Sequence, residues 1–479
     1  MMSLTPRWAI VLLLSVGLVA HVEGQRQRQN RGGGSRQPVQ TTAHLDVPAH
    51  PFDVILGRPT ATSVTASVMW YDDTEGFLAY GTQAGKLDAR TPSRAFKKGE
   101  PAEIVMPGLR PDTRYYYQVQ SARTSGGEST FHTARPSGSA FSFTVTADSH
   151  LDDRTDPAVY QQTLANALAD KPDFHVDLGD TFMTDKHASR ENAARQYLAQ
   201  RYFFGQLAQS VPLLLALGNH DGEKPRGRNG SPDDMAAWAN ALRTRYFPNP
   251  VPGDFYSGNG TRSAAGAFLE NYYAWEWGGA LFVVLDPFRS GQPRGGQRDN
   301  WTTSLGLEQY RWLTRTLEGS KARFRFVFVH NLVGGADDQG RGGAEEAAFY
   351  EWGGKNADGT DGFAAHRPGW TMPIHQLFVK HGVSIVFHGH DHFYAKQDLD
   401  GIVYQEVPQP GNPGSETAPR SAAEYGYRGG ILLGGSGHMR MTVKPDAVTA
   451  EYVRVSGPQN GRTNGAGGQV AHSYSVSPR

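Results

Sequence analysis

Five short apolar runs, each ending on a metal-ligating or acid–base side chain, constrain this chain more than any other feature. The runs Phe141–Ala147, Phe174–Leu178, Pro212–Leu217, Phe324–Val329 and Ser384–Phe387 lead into Asp148-Ser-His150, Gly179-Asp180, Gly218-Asn219-His220-Asp221, His330 and His388-Gly389-His390-Asp391-His392. Near-continuous apolar strands belong to a sheet covered on both faces. Between them lie helical patterns: Tyr160, Leu164 and Leu168 four apart, then stretches around 190–208, Leu307–Leu317 and 371–381, with a further strand at Ala280–Leu285 and more β over 402–455. Such alternation is the pattern of an α/β domain. Open α/β sheets bind ligands outside the carboxyl ends of their strands. The sequence therefore predicts one rim to which five segments deliver His, Asp and Asn side chains, a convergence that packing does not require.

Asp148 and His150 are two apart and face the same side of an extended backbone, as do His390 and His392. Glycines at 179, 218 and 389 allow tight turns and close backbone approach. Mixed oxygen and imidazole donors suit Mn, Fe, Zn or Ni, whereas Ca and Mg favour an all-oxygen shell. Asp148, His150, Asp180, Asn219, His330, His390 and His392 are more donors than one ion needs; with a water they fit two ions sharing a carboxylate. Two divalent ions against Asp148, Asp180 and a hydroxide leave a net positive site, which favours a small phosphorylated substrate. Such a pair holds a hydroxide nucleophile near neutral pH and clamps the phosphoryl oxygens during in-line displacement. His220 is placed to act as general acid to the leaving group. Its neighbour Asp221 either orients it or caps a helix.

Length and charge bound the rest. The 479 residues suggest two or three domains. Lys+Arg and Asp+Glu both number 47, so no nucleic-acid partner is indicated. The absence of Cys excludes disulfides, zinc–thiolate sites and thiol nucleophiles. Arg7 precedes an apolar run, Ala9–Ala20, too short to span a bilayer but suited to a signal peptide over 1–24, cut after Gly24. The expectation is an exported protein, periplasmic or extracellular, soluble and without a membrane span after cleavage. Residues 25–45 read as a flexible linker, since 25–40 (QRQRQNRGGGSRQPVQ) offers almost no apolar surface to bury.

Period-two patterning then marks a small β domain over 46–136. Val64, Ala66, Val68 and Trp70 alternate with Thr65, Ser67 and Met69, and Tyr115, Tyr117 and Val119 repeat the pattern. Pro111 and Asp112 supply a turn before Tyr115, whose hydroxyl can return to the upstream backbone as a sandwich corner. The segment resembles a fibronectin-type-III-like sandwich with a scaffolding role. Residues 137–457 form the catalytic domain and 458–479 a tail. Two insertions interrupt it: 222–279, read as packing or as a cleft wall, and the Gly-rich 334–365, read as lid or surface. Arg226 and Arg228 are read as solvated or as ligands for a leaving-group phosphate. Asn229, Asn259 and Asn300 sit in glycosylation sequons.

Taken in order, the five motifs resemble the calcineurin-like metallophosphoesterase superfamily, and the β domain in front resembles its purple-acid-phosphatase branch, over roughly 46–455. The resemblance implies a four-layer α/β (α+β) sandwich after a small all-β domain. It implies Asp148, His150, Asp180 and His392 on one ion and Asp180, Asn219, His330 and His390 on the other, with Asp180 bridging and His220 at the phosphate. The cofactors would be two divalent or mixed-valence ions drawn from Fe, Mn and Zn. Purple acid phosphatases carry Asp-x-Gly and Gly-Asp-x-x-Tyr, whose tyrosinate on ferric iron gives the colour. Here His150 stands in the first motif and Met183 at the tyrosine position, so no such chromophore is expected. Asn331, after His330, occupies a place where many relatives keep a substrate-facing polar group. The expected activity is hydrolysis of phosphate monoesters by a metal-bound hydroxide; a phosphodiesterase or nucleotide hydrolase on the same core, or a catalytically silent binding protein, are the alternatives.

Overall fold

The computed structural model describes residues 44–224, 229, 231, 233–263, 266–291, 300–335, 340–455 and 468–479. The expected signal peptide, all but the end of the expected linker, Arg226 and Arg228 lie outside the described residues.

The chain first builds a two-sheet β domain. Phe52–Gly57, Ser63–Trp70 and Pro101–Pro107 form one antiparallel sheet. Ala89–Arg90, Thr74–Gly81, Arg114–Ser121 and Ser129–His132 form the other, with Arg94–Phe96 also on Thr74–Gly81. Val64, Val68 and Trp70 of the first sheet and Tyr117 of the second, residues the alternation selects, pack together with Leu78 and Phe131. The Arg110 N–H donates to Tyr115 Oη at 2.9 Å, closing the corner that Pro111 and Asp112 set up. Ser63–Trp70 is nevertheless buried on both faces rather than one. The helix Arg190–Ala208 covers its outer face, where Met69 joins the packing and Arg201 donates to Ser67 Oγ at 2.9 Å.

Behind this domain two sheets lie face to face. One runs Leu213–Leu215, Phe174–Asp177, Phe141–Thr146, Gly437–Val443, Val448–Arg454, Gln469–Val476; its first three strands are parallel and the rest antiparallel. The other runs Ser257–Gly258, Tyr273–Trp277, Ala280–Val284, Phe324–Phe328, Ile385–His388, Ile402–Glu406, Tyr394–Leu399, Ile431–Leu433, with four parallel strands at its centre. Between the sheets Phe143, Phe174, Phe282, Phe326, Phe328 and Phe387 form an aromatic core with Met439 and Met441. Helices Pro157–Ala169 and Arg190–Ala208 pack on the far side of the first sheet, and Gly306–Gly319 and Ile374–Lys380 on the far side of the second. The result is a four-layer sandwich, two sheets between two layers of helices, behind an all-β domain.

Two strands differ from the sequence reading. Tyr273–Trp277 turns back on Ala280–Val284 through Gly278 and Gly279, both at positive φ (62° and 86°), as a two-residue hairpin of this twist requires. Gln469–Val476, within the stretch read as a tail, pairs with Val448–Arg454 and lays His472 and Tyr474 on the sheet, where Tyr394 and Gln405 bond them.

The insertion at 222–279 is a structural tie. Arg243 on helix Met235–Tyr246 bonds Glu223 at 2.7 Å, just after the His220 loop. Arg58 of the β domain reaches Asn249 O at 2.7 Å and Glu270 at 3.1 Å. Asn259 and Asn300 of the sequons are buried, their amides donating to Asn271 and Gly335 O.

Candidate metal centre

Each predicted residue sits just past a strand, where the backbone turns sharply. Asp148, His150, Asp180, His390 and His392 all have positive φ (58°, 47°, 54°, 83° and 69°). That region is sparsely used by residues with a Cβ, and such strain concentrates at functional sites. The turns also press together: a Cβ on Gly218 would lie 2.0 Å from Asp180 N, and one on Gly389 2.6 Å from Asp148 Oδ2. Only glycine permits this approach, as their place in the motifs anticipates.

Two groups form on this frame. Donor atoms of Asp148, His150 and His392 all lie within 4.8 Å of one another, and so do those of Asp180, His330 and His390. Asp180 Oδ2 joins them, 3.7 Å from His150 Nε2 and 3.4 Å from His330 Nε2. Asp148 Oδ1 lies 3.6 Å from His150 Nε2, 3.5 Å from His392 Nε2 and 3.9 Å from His330 Nε2. Asn219 Oδ1 is 3.0 Å from His330 Nε2, on the same spot. All seven donors named from the sequence are thus brought together. His330 Nδ1 meets Leu178 O at 3.0 Å, which directs Nε2 inward.

The donors fit an ion. Asp148 Oδ1, both ring nitrogens of His150 and both of His390 are buried without a hydrogen-bond partner. Each such orphan costs about 1–3 kcal/mol, and first-row divalent ions accept this donor set. Burial alone would raise the Asp148 carboxyl, yet His150, His392 and His330 hold it far below the usual carboxylate range. Burial is likewise overcome at Asp180 by His330, His220 and His150. Both carboxylates are therefore ionised acceptors. His330 is pushed up to about 9, against burial, by Asp180, Asp148 and Asp221, while burial lowers His390 to about 3.

Asp221 neither orients His220 nor caps a helix. Its buried carboxylate accepts the backbone N–H groups of Asp180 (3.1 Å), Thr181 (2.9 Å), Phe182 (2.8 Å) and Gly218 (2.8 Å), locking one motif loop onto another. His220 is held instead by Asp185, Oδ1 to Nδ1 at 2.9 Å, and Asp185 pairs with Lys224 at 2.6 Å. Asp185 precedes His220 by 35 residues and carries no local signal. Asn331 gives its Nδ2 to Gly340 O at 3.1 Å, and Gly342 N donates to Asp391 Oδ2 at 2.9 Å, so the second insertion is pinned beside the centre. Beneath it His388 Nδ1 lies 2.6 Å from Glu406 Oε2. Of the other histidines, His375 lies between Tyr404 and Asp400, and His438 meets Asp170 at 2.7 Å.

No curated protein matches the chain. Among solved structures it is similar to one described as PhoD, with TM-score 0.63 and 15% identity over 90% of this chain and 91% of that one. It is also similar to the purple acid phosphatase PPD1 from yellow lupin (Lupinus luteus) seeds, with TM-score 0.58 and 16% identity over 88% of this chain and 74% of that one. Identities this low show the fold alone. The purple acid phosphatase N-terminal domain matches residues 51–151. Calcineurin-like phosphoesterase matches residues 141–394, more than half of the chain, the span that carries every donor of the two groups. The chain therefore belongs to the calcineurin-like phosphoesterase family, as a purple-acid-phosphatase-like metallophosphoesterase.

Proposed function

We propose that this chain is an exported hydrolase of small phosphate monoesters. The carrying observation is the pair of donor groups joined through Asp180 Oδ2, with buried orphan atoms on both sides. Asp148, His150, Asp180 and His392 would hold one ion; Asp180, Asn219, His330 and His390 would hold the other. When bound, such a pair supplies a nucleophile at neutral pH and neutralises charge on the phosphoryl oxygens. The chain supplies the rest. Asp180 shares its charge between the two groups. Asp185 holds His220 by Nδ1 and leaves Nε2 to meet the leaving-group oxygen and give it a proton. Export is supported by the charged start and apolar run of 1–24.

The test is turnover of an aryl monoester against a bis-aryl diester, on protein whose Mn, Fe and Zn content has been measured. The monoester should be the faster substrate. Faster diester cleavage overturns the substrate class, and protein that takes up no metal overturns the whole reading. Loading with ferric iron should give no purple colour, since Met183 supplies no phenolate.

A further inference from the structure

His150 brings an imidazole where purple acid phosphatases use a phenolate, so the centre has one fixed negative charge fewer. The charge reappears one layer back. While His150 Nε2 faces Asp148 and Asp180, its Nδ1 faces Asp152 Oδ2 at 3.5 Å. That is an ion-pair distance rather than a settled hydrogen bond, but Nδ1 is shut off from solvent and Asp152 is the acceptor on that side. Asp152 is only 4% exposed. It is held in place by Arg154, whose backbone N–H donates to Oδ1 at 3.0 Å and whose Nη2 donates to Oδ2 at 3.0 Å. The ring of His150 is fixed as well, edge-on to His392 with centroids 4.7 Å apart, and its backbone N–H donates to Asp180 O at 3.1 Å. His330 directs Nδ1 at a neutral carbonyl; His150 directs its own at a carboxylate.

We propose that Asp152 is a positioning residue for the metal centre: its carboxylate is the acceptor for the Nδ1–H of His150, which keeps the proton on Nδ1, fixes Nε2 as the ligand atom and strengthens it as a donor. This rests on the metal-binding reading above. A carboxylate behind a ligand histidine commonly contributes tenfold to a hundredfold in metal affinity.

The experiment uses Zn2+ alone, titrated into the full chain stripped of metal, in competition with a chromophoric chelator. The wild type should show two binding events, and Asp148→Ala should lose the one that depends on His150. Asp152→Asn, which keeps an acceptor but not the charge, should weaken that same event by about tenfold to a hundredfold and leave the other within about twofold. Arg154→Ala keeps the carboxylate and the backbone N–H to Oδ1 but removes the Nη2 bond to Oδ2, so it should weaken the His150-dependent event less than Asp152→Asn does and leave the other within about twofold. A wild-type curve for Asp152→Asn overturns the proposal, as does equal weakening of both events. A wild type that binds no Zn2+ overturns the metal reading itself, which sets that failure apart.

Discussion

His220 and Asp221 are neighbours in sequence but work through different atoms. The His220 imidazole, partly exposed, meets Asp185 through Nδ1; the Asp221 carboxylate is buried and gathers four backbone N–H groups. His220→Ala should therefore keep its metal and lose about 10²–10⁴ in kcat on an alkyl phosphate, the usual contribution of a general acid. On a p-nitrophenyl ester, whose leaving group needs little protonation, the loss should be much smaller; equal losses would remove the proton-donor role. Asp221→Ala should lower stability by about 3 kcal/mol or more, because several buried donors lose their acceptor. Denaturant melts check the loss, and metal content should fall with it. From sequence, the identity of His220 was readable because it lies inside a motif. The partner of His220 was not, because it reaches the ring only through folding of the segment before Lys186.

At the scale of elements, strand ends and glycine turns were readable because their chemistry is local. Apolar runs gave Phe141–Thr146, Phe174–Asp177, Phe324–Phe328 and Ile385–His388 to within a residue or two. Polar residues inside those runs needed the fold to explain them. His175 is buried between Thr144 and Thr146 on the next strand, each at 2.8 Å, and Thr146 also bonds Asp177 at 2.9 Å, forming a polar ladder beneath the Asp180 turn. The Gly179 and Gly218 turns stand on this ladder in backbone contact. Gly218→Ala should push Asp180 away, costing about 1–3 kcal/mol by overpacking and weakening Zn2+ binding in both events. Chelator competition checks this; an unchanged titration would show that the turn can move without the centre.

Across the whole molecule, a buried ion pair joins the β domain to the catalytic domain. Arg201 is fully buried, bonds Asp53 through Nε at 2.6 Å, and also reaches Ser67 and the Tyr246 carbonyl. Removing one member of such a pair leaves an uncompensated charge, at a cost of about 3–5 kcal/mol. Arg201→Met should therefore unfold at lower temperature while the protein that remains folded keeps its metal and its kcat. A fall in kcat at full metal occupancy would instead make the β domain part of the catalytic apparatus. Nothing local in the strand Ser63–Trp70 announces this junction: Ser67 and Met69 look like the solvent face of a half-buried strand until helix Arg190–Ala208 covers them.

The sequence by itself determined which residues would stand at the strand ends and which chemistry they offer, because apolar runs, glycine turns and donor types are properties of short segments. Only the tertiary structure decided which carboxylate serves His220, what Asp221 binds, and that 469–476 completes a sheet. Those facts depend on contacts between segments tens to hundreds of residues apart, and such contacts exist only once the two sheets have closed on their shared aromatic core.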